Sequence, residues 1–517
     1  FVHRNEHPAL ADRRRRLVLV DESRARLHSY DSADPSAGFA VPIRKPGWDL
    51  KAVGGTRYRT VCRGGFQVTD LAARKVVDTF DFPIFHSAEP TACCDLPDGG
   101  FVFSVNPVGP DKGKAIHFCV FSPDRTMTRI ILVLLSAICV TGVSPVYRFA
   151  VPEPFSGPDI FNPYRNVLKK NGETLWKRAL FHTHTMVKGI FNECHHTPAE
   201  VSDSLRGFGY DLITFSNHNS FTDFPAGSAL DVNVYEHGWN LPKYHKLVFG
   251  AEKVWHWDNL MPVLASQRQF HIDMLSQGSD FVQINHPTRT WLTQKSTMEK
   301  LEGYTIMELD SGRTTAQEYW DWALSCGHYS FGMANDDLHF PDLTHKIAVR
   351  CNFLSTEGED YEAVRKCLTE GGFYSMRIPD YGHGDWKVKH EMNRQLPDIR
   401  EIGLEGSEIF IRLSDTADSI VVTGQDGRRL DTSFGCDSLR YRFRESDSYA
   451  RLTAFFPGGE VIYSNPFARY DSSLSDSPFK VPEHRISVPL TILYNMMLLV
   501  LSVTLILAGI GFFSKKS

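Results

Sequence analysis

A chain of 517 residues, 42% hydrophobic and 23% charged, is long enough to bury several cores and reads as roughly two to four domains. That apolar content excludes a fibre or a disordered tail, and a formal net charge of −5 gives no global attraction to nucleic acid. Ten cysteines, Cys93 and Cys94 among them, form no C-x-x-C pair of the kind that builds zinc ribbons or redox motifs, so most read as small buried hydrophobes.

The chain opens on Phe1 rather than Met, as expected of a start inside a longer product or of an imperfect gene model. Within residues 1–124 three stretches recur at a spacing of about 40: LVLVDESRARLHSYD from Leu17, YRTVCRGGFQVTD from Tyr58, and GGFVFSVNP with HFCVFSPD from Gly99. Each alternates apolar residues and ends in a Gly or Asp turn, as blades of a β-propeller do. Three blades do not close a propeller, and a small open β-sheet fits equally. No catalytic constellation occurs there. Residues 127–145 follow, with an apolar run from Ile130 to Val143 behind Arg125 and Arg129 and ahead of Pro145. They read as a signal-peptide core or a short transmembrane anchor. Met127 is a plausible secretory start, in which case residues 1–126 belong to a separate reading frame.

Beyond Trp176, metal-ligand residue types begin to close apolar, strand-like runs. RALFHTHT sets His182 and His184 at i, i+2, the same face of a strand, so both imidazoles can meet one ion. YDLITFSNHNS ends at Asn217 and His218, LVFGAEKVWHW at Glu252 and His256, and FVQINHPTR at His286. YTIMELDSGR carries Glu308 and Asp310, and YSFGMANDDLH carries Asp337 and His339. Helix-like stretches such as TPAEVSDSLRGFG and TAQEYWDWALSCG lie between, each closed by a Gly suited to a helix C-terminus. Strand and helix in alternation imply parallel strands whose C-terminal ends share one rim. Any one of these residues alone reads as a solvated loop group. The series at strand ends carries the inference.

The order H-x-H, N-H-N, G-x-E, N-H-P-x-R and D-D-x-H, from about Ala179 to Gly372, resembles the polymerase-and-histidinol-phosphatase (PHP) superfamily of phosphoesterases. The resemblance implies a distorted (β/α)7 barrel over residues 176–378, with two or three divalent ions (Zn, Mn or Fe) at its rim. It implies that His182, His184, Glu252 and Asp337 hold one ion, that Glu252 bridges to a second held with His256 and His286, and that His218 and His339 hold a third. Glu193 in FNECHHTPAE is the best match for the remaining ligand, ahead of His195 and His196, and Asn217 stands where the family has Asp. Mixed imidazole and carboxylate ligation suits zinc, manganese or iron rather than calcium. Arg289 and Arg313 are candidates to clamp phosphate oxygens through a planar guanidinium fork, against surface ion pairing.

Residues 400–470 hold short alternating runs with DG and GG turns, expected as a small β-sandwich that packs against the barrel. Residues 488–513 fall in a stretch without charge that exceeds the ~20 apolar residues needed to cross a bilayer. It is expected as a C-terminal transmembrane helix. Arg125 and Arg129 at one end and Lys515 and Lys516 at the other favour an extracytoplasmic catalytic region, with Arg485 opposing. The expected activity is metal-dependent hydrolysis of a phosphate mono- or diester on a small molecule. A nuclease is less favoured, because Lys and Arg are not concentrated beside KVWHW or QEYWDW. A metal-stabilised receptor or scaffold is the reading from another class. The sequence identifies no protein partner.

Overall fold

The computed structural model describes residues 6–11, 16–21, 26–31, 38–44, 48–62, 65–81, 89–95, 101–106, 117–121, 126–187, 192–290, 293–311 and 315–514. Arg125, Arg313, Lys515 and Lys516 lie outside the described residues. Residues 1–136 with 503–517 group as one unit and 137–502 as another.

In the first unit, strands Glu6–Ala11, Arg16–Asp21, Arg26–Asp31 and Phe39–Pro42 form an antiparallel meander in chain order. A second meander runs through Trp48–Gly54, Arg57–Cys62, Gly65–Asp70 and Lys75–Asp81, and a third through Glu89–Asp95, Phe101–Asn106 and His117–Phe121. The second meander's last turn shows why the chain reverses. Asp70 Oδ1 accepts from the amides of Ala72 (2.9 Å) and Ala73 (3.3 Å) and from Thr56 Oγ1 (2.7 Å), an Asx turn that replaces the ladder bonds lost at the bend. Val18, Leu27, Ile43, Leu50, Tyr58 and Leu71 form a buried cluster drawn from the first two meanders.

The second unit is built on seven short strands: β1 (Lys177–Leu180), β2 (Leu212–Ile213), β3 (Val234–His237), β4 (Lys246–Phe249), β5 (Phe281–Ile284), β6 (Ile306–Asp310) and β7 (Phe331–Ala334). Strands β3 to β7 form one sheet in chain order. Its members β5, β6 and β7 are parallel, whereas β4 is antiparallel to both neighbours. Every residue of β3 to β7 is buried, the pattern of strands covered on both faces. Strands β1 and β2 pair in parallel at the end of a second sheet. Beyond the strand ends, parallel bridges join Thr183 to Leu338 and His218 to Glu236, so the two sheets meet at two seams.

Helices α1 (Pro198–Gly207), α2 (Ala265–Ser276), α3 (Gln317–Ser325) and α4 (Tyr361–Glu370) connect the strands. A capping box starts α1: Thr197 Oγ1 accepts from the Glu200 amide, and Glu200 Oε2 accepts from the Thr197 amide at 2.7 Å. Gly371 ends α4 at φ 83°, and a Cβ there would stand 2.2 Å from Phe331 Cε1, so only glycine lets the helix stop against β7.

The strands of 400–470, expected as a small β-sandwich packed against the barrel, pair with the sheet that carries β1. Strands β8 (Arg350–Leu354) and β9 (Phe373–Arg377) extend the sheet from β1, and β14 (Val461–Ser464) pairs directly with β9. Strands β10 (Ile399–Glu405), β11 (Glu408–Gly424), β12 (Arg428–Arg442), β13 (Tyr449–Phe455) and β15 (Phe467–Tyr470) therefore continue the same eleven-stranded sheet. One hydrophobic cluster runs from Leu180 and Ile213 through Tyr374 to Ile420 and Leu452. Asn465 fixes the joint: its side chain donates to the carbonyls of Gly371 (3.0 Å) and Phe373 (2.9 Å) and accepts from the Gly332 amide (2.9 Å).

Two apolar helices, Thr126–Thr141 and Val488–Ser514, overlap the two ends of the second unit in sequence. Of these, Val488–Ala508 is long and apolar enough to cross a membrane, and Ile130–Thr141 is shorter. The chain enters and leaves the second unit side by side, because Tyr147–Arg148 pairs with Arg485–Ile486. Asn495 grips Ser144 through both amide groups, at 3.2 and 3.1 Å.

Candidate metal centre

Past β1 the chain stays extended, held by the Phe181 amide on Asn335 Oδ1 (3.1 Å) and the His184 amide on the Leu338 carbonyl (2.9 Å). Alternation then turns His182 and His184 to one side, at 0% and 1% exposure. Opposite them stands Glu236, the third residue of β3, and its two oxygens divide the surrounding imidazoles. Oε2 lies 3.1 Å from His182 Nε2, 3.2 Å from His184 Nε2 and 3.1 Å from His218 Nε2. Oε1 lies 3.2 Å from His245 Nδ1 and 3.1 Å from His286 Nε2. Asp337 Oδ1 closes the first group at 3.1 Å from His182 and 3.2 Å from His184. Glu193 Oε2 approaches His218 at 3.1 Å and His339 at 3.6 Å. Among the described residues three overlapping sets of metal-capable donors result: His182, His184, Glu236 and Asp337; His184, Glu193 and His218; and His218, Glu236 and His245.

The donor chemistry fits divalent ions. Two ligands at ~2.1 Å from one ion, at tetrahedral or octahedral angles, stand about 3.0–3.4 Å apart, the spacing found here. His182 Nδ1 is engaged by Glu308 Oε1 at 2.9 Å, which leaves a buried Nε2 with no hydrogen-bond partner facing Glu236 and Asp337. A bare lone pair against two carboxylates is costly unless a cation or proton lies between them. Burial opposes charge on His182, yet Glu236, Asp337 and Glu308 outweigh it and hold its pKa well above the usual imidazole value. Burial also works against His218, but Glu236 and Glu193 bring its pKa up to about 9. Glu236 and Asp337, despite burial, are held well below the carboxylate range by these histidines. His245 goes the other way, to about 4, because burial prevails over Glu236. Backbone strain gathers here too: His286 and Asp337 take φ of 26° and 50°.

Of the residues singled out in the sequence, His182, His184, Glu193, His218, His286, Asp337 and His339 converge. Glu252 and His256 do not, and both are exposed. The reason is strand direction. Because β4 is antiparallel, its C-terminal end points away from the rim, and the Glu252 amide bonds instead to Gly278 O at 2.9 Å, just past α2. The β3–β4 hairpin delivers Glu236 and His245, which the sequence reading missed. A turn signal, Gly238 to Pro242 between two apolar runs, was available to find them. His195 is exposed and His196 approaches Asp342 at 3.7 Å, neither in the cluster. Asn217 bonds to the Thr185 amide (2.8 Å) and to Thr222 Oγ1 (2.8 Å), steadying the loop after H-x-H. Asp310 is taken up by Arg350 and by Tyr463 Oη (3.0 Å). Arg289 pairs with Asp337 Oδ2, and a cavity of about 760 Å³ beside it is lined by Lys243, His345, Lys346, Arg350 and Arg377.

No family model and no curated protein matches the sequence. Among solved structures, the chain is similar to a two-domain protein containing a predicted PHP-like metal-dependent phosphoesterase from Bacteroides vulgatus. That likeness is at 13% identity over 61% of this chain and 99% of that one, with a TM-score of 0.28. It is also similar to PorZ, a surface component of the type-IX secretion system of Porphyromonas gingivalis (10% identity, 90% and 51% covered, TM-score 0.18). A third is apo AztD from Citrobacter koseri (8%, 84% and 88%, TM-score 0.16). Likenesses at these scores assign no role to any residue.

Proposed function

We propose that residues 176–378 are a PHP-type phosphoesterase domain, that β1 to β7 close through the two seams into a distorted seven-stranded barrel, and that the C-terminal helix anchors the protein in a membrane. The observation that carries the reading is Glu236, one buried carboxylate with three imidazoles at one oxygen and two at the other. His182, His184, Glu236 and Asp337 would hold one ion, His245 and His286 with Glu236 a second, and Glu193, His218 and His339 a third. Two or three bound zinc, manganese or iron ions would supply Lewis acidity and lower the pKa of a water near pH 7. Glu308 fixes the His182 ring through Nδ1 and so keeps Nε2 aimed into the site. Arg289 and Lys243 line the adjoining cavity and would bind phosphate oxygens of a mono- or diester.

Full-length protein in detergent, loaded with manganese or zinc, is expected to contain two to three ions per chain, the number that its three donor sets allow. It is expected to hydrolyse p-nitrophenyl phosphate or bis(p-nitrophenyl) phosphate. Glu236→Gln should lose both metal and turnover. A metal-loaded protein without turnover on either ester, or a Glu236→Gln variant as active as the parent, would defeat the proposal.

A further inference from the structure

Resting on that reading, we infer that the metal centre opens at a membrane surface and that its substrate is a phosphate ester carried by a membrane lipid. Two neighbouring loops, 238–245 and 251–264, expose Trp239, Leu241 (59%), Trp257, Val263 (50%) and Leu264. Single exposed hydrophobes are ordinary, but five on adjoining loops form a patch that needs an apolar neighbour. The loops are tied together: the Trp239 amide and Asn240 Nδ2 both donate to Asp258 Oδ2 (2.6 and 2.9 Å), and the Leu241 amide donates to Leu260 O (3.0 Å).

On one side this collar is continuous with the apolar helices. The Leu260 amide donates to Thr141 Oγ1 at 3.2 Å, Asn259 Nδ2 to the carbonyls of Thr141 and Val143, and Gln267 Nε2 to Gly142 O (3.0 Å) and Tyr494 Oη (3.2 Å). Gln267 also accepts from the Leu264 amide at 3.1 Å, so the second loop is linked through α2 to Tyr494, in the early turns of the C-terminal helix. On the other side the collar reaches the metal centre, since the Trp239 ring stacks on His218 at 6.0 Å and 27°. Gly238 allows that approach. A Cβ there would stand 2.5 Å from His245 Cδ2, so the loop carrying the collar lies flat against a metal-site imidazole.

Trp and aliphatic side chains at such a height are the residues that settle into the headgroup boundary. The cavity lined by Asp337 and His339 also takes Lys243 from the 238–245 loop, so it borders the collar, and its lysines and arginines outnumber its aspartates. A molecule with a polar headgroup in the cavity, its phosphate at the metal centre and its hydrocarbon over Trp239 and Leu241 fits all three surfaces. A lipid phosphoester has that construction.

The test reconstitutes full-length protein in phosphatidylcholine vesicles with brominated acyl chains, which quench tryptophan at acyl depth. Trp257→Phe is expected to remove part of the quenched emission, and Val263→Glu/Leu264→Glu to lift the loops away and reduce it further. With manganese present, phosphatidylinositol and phosphatidic acid in the vesicles are compared with their deacylated, water-soluble counterparts. The embedded ester should be preferred by roughly tenfold or more, and the double variant should erase the preference while leaving bis(p-nitrophenyl) phosphate turnover within about twofold. Quenching unchanged by the variants, equal turnover of embedded and soluble esters, or turnover of the chromogenic ester alone would each overturn the inference. Loss of chromogenic turnover in the parent protein would instead sink the phosphoesterase reading beneath it.

Discussion

Strands β5 to β7 and the β3–β4 hairpin supply the same centre by opposite means. The parallel strands deliver His286 and Asp337 just beyond their C-terminal ends. The hairpin delivers Glu236 near the end of one strand and His245 just before the start of the next. A ligand near a strand terminus is therefore informative only when the strand's direction is known. Glu252 and Glu236 each follow an apolar run, and only Glu236 faces the histidines.

The sharpest way to break this comparison is to exchange the two carboxylates. Glu236→Gln is expected to lower kcat/KM by roughly 10³-fold, the several kcal/mol that metal-ion catalysis supplies, while Glu252→Gln leaves it unchanged. Equal losses in steady-state assays would return the bridging role to Glu252. Next in size is the imidazole pair: His245→Ala should weaken metal binding by about 100-fold in a chelator competition, and His256→Ala should not. Glu308→Gln probes the ring it orients, and about a tenfold loss of metal affinity is expected with the fold intact by circular dichroism.

The smallest effect comes from a histidine with carboxylates but no metal-capable set. His484 sits between Asp273 and Glu302 at 3.0 Å each. Burial disfavours its charge, but the two carboxylates prevail and raise its pKa to about 9. A raised pKa stabilises the fold fully below the unfolded value near 6.5 and progressively less as pH climbs through about 9. Relative to the parent, His484→Asn should lose about 1–2 kcal/mol at pH 6, allowing for solvent screening, and almost nothing at pH 10. A pH-independent deficit in thermal melts would show that its role is packing.

Most of the centre was legible because it lies on local patterns. His182-x-His184 and Asp337-x-His339 each keep the two-residue spacing expected along an extended segment, and Asn285-His286-Pro287 stops a strand within three residues. The direction of β4 was not legible, since an apolar run reads the same whether its neighbours are parallel or antiparallel. Nor was the merging of β10 to β15 with the core. Their Asp-Gly and Gly-Gly turns show in the sequence, but the pairing of Tyr374 with Ser464 joins distant segments and leaves no local mark. In the first unit, the recurrence read from the sequence coincides with meanders that begin at Glu6, Trp48 and Glu89.

The pairing of Tyr147 with Ile486 also bears on when the second unit becomes complete. It closes a loop of about 340 residues, and such a contact is entropically disfavoured until everything between its ends has condensed. During synthesis the second partner also emerges late, after β13 to β15 and ahead of the helix Val488–Ser514. The little two-residue ladder thus works as a clasp. Hydrogen exchange at Arg148 would report the moment of closure, whereas the Tyr147 amide, bonded to Ser266 Oγ at 3.0 Å, would report docking against α2.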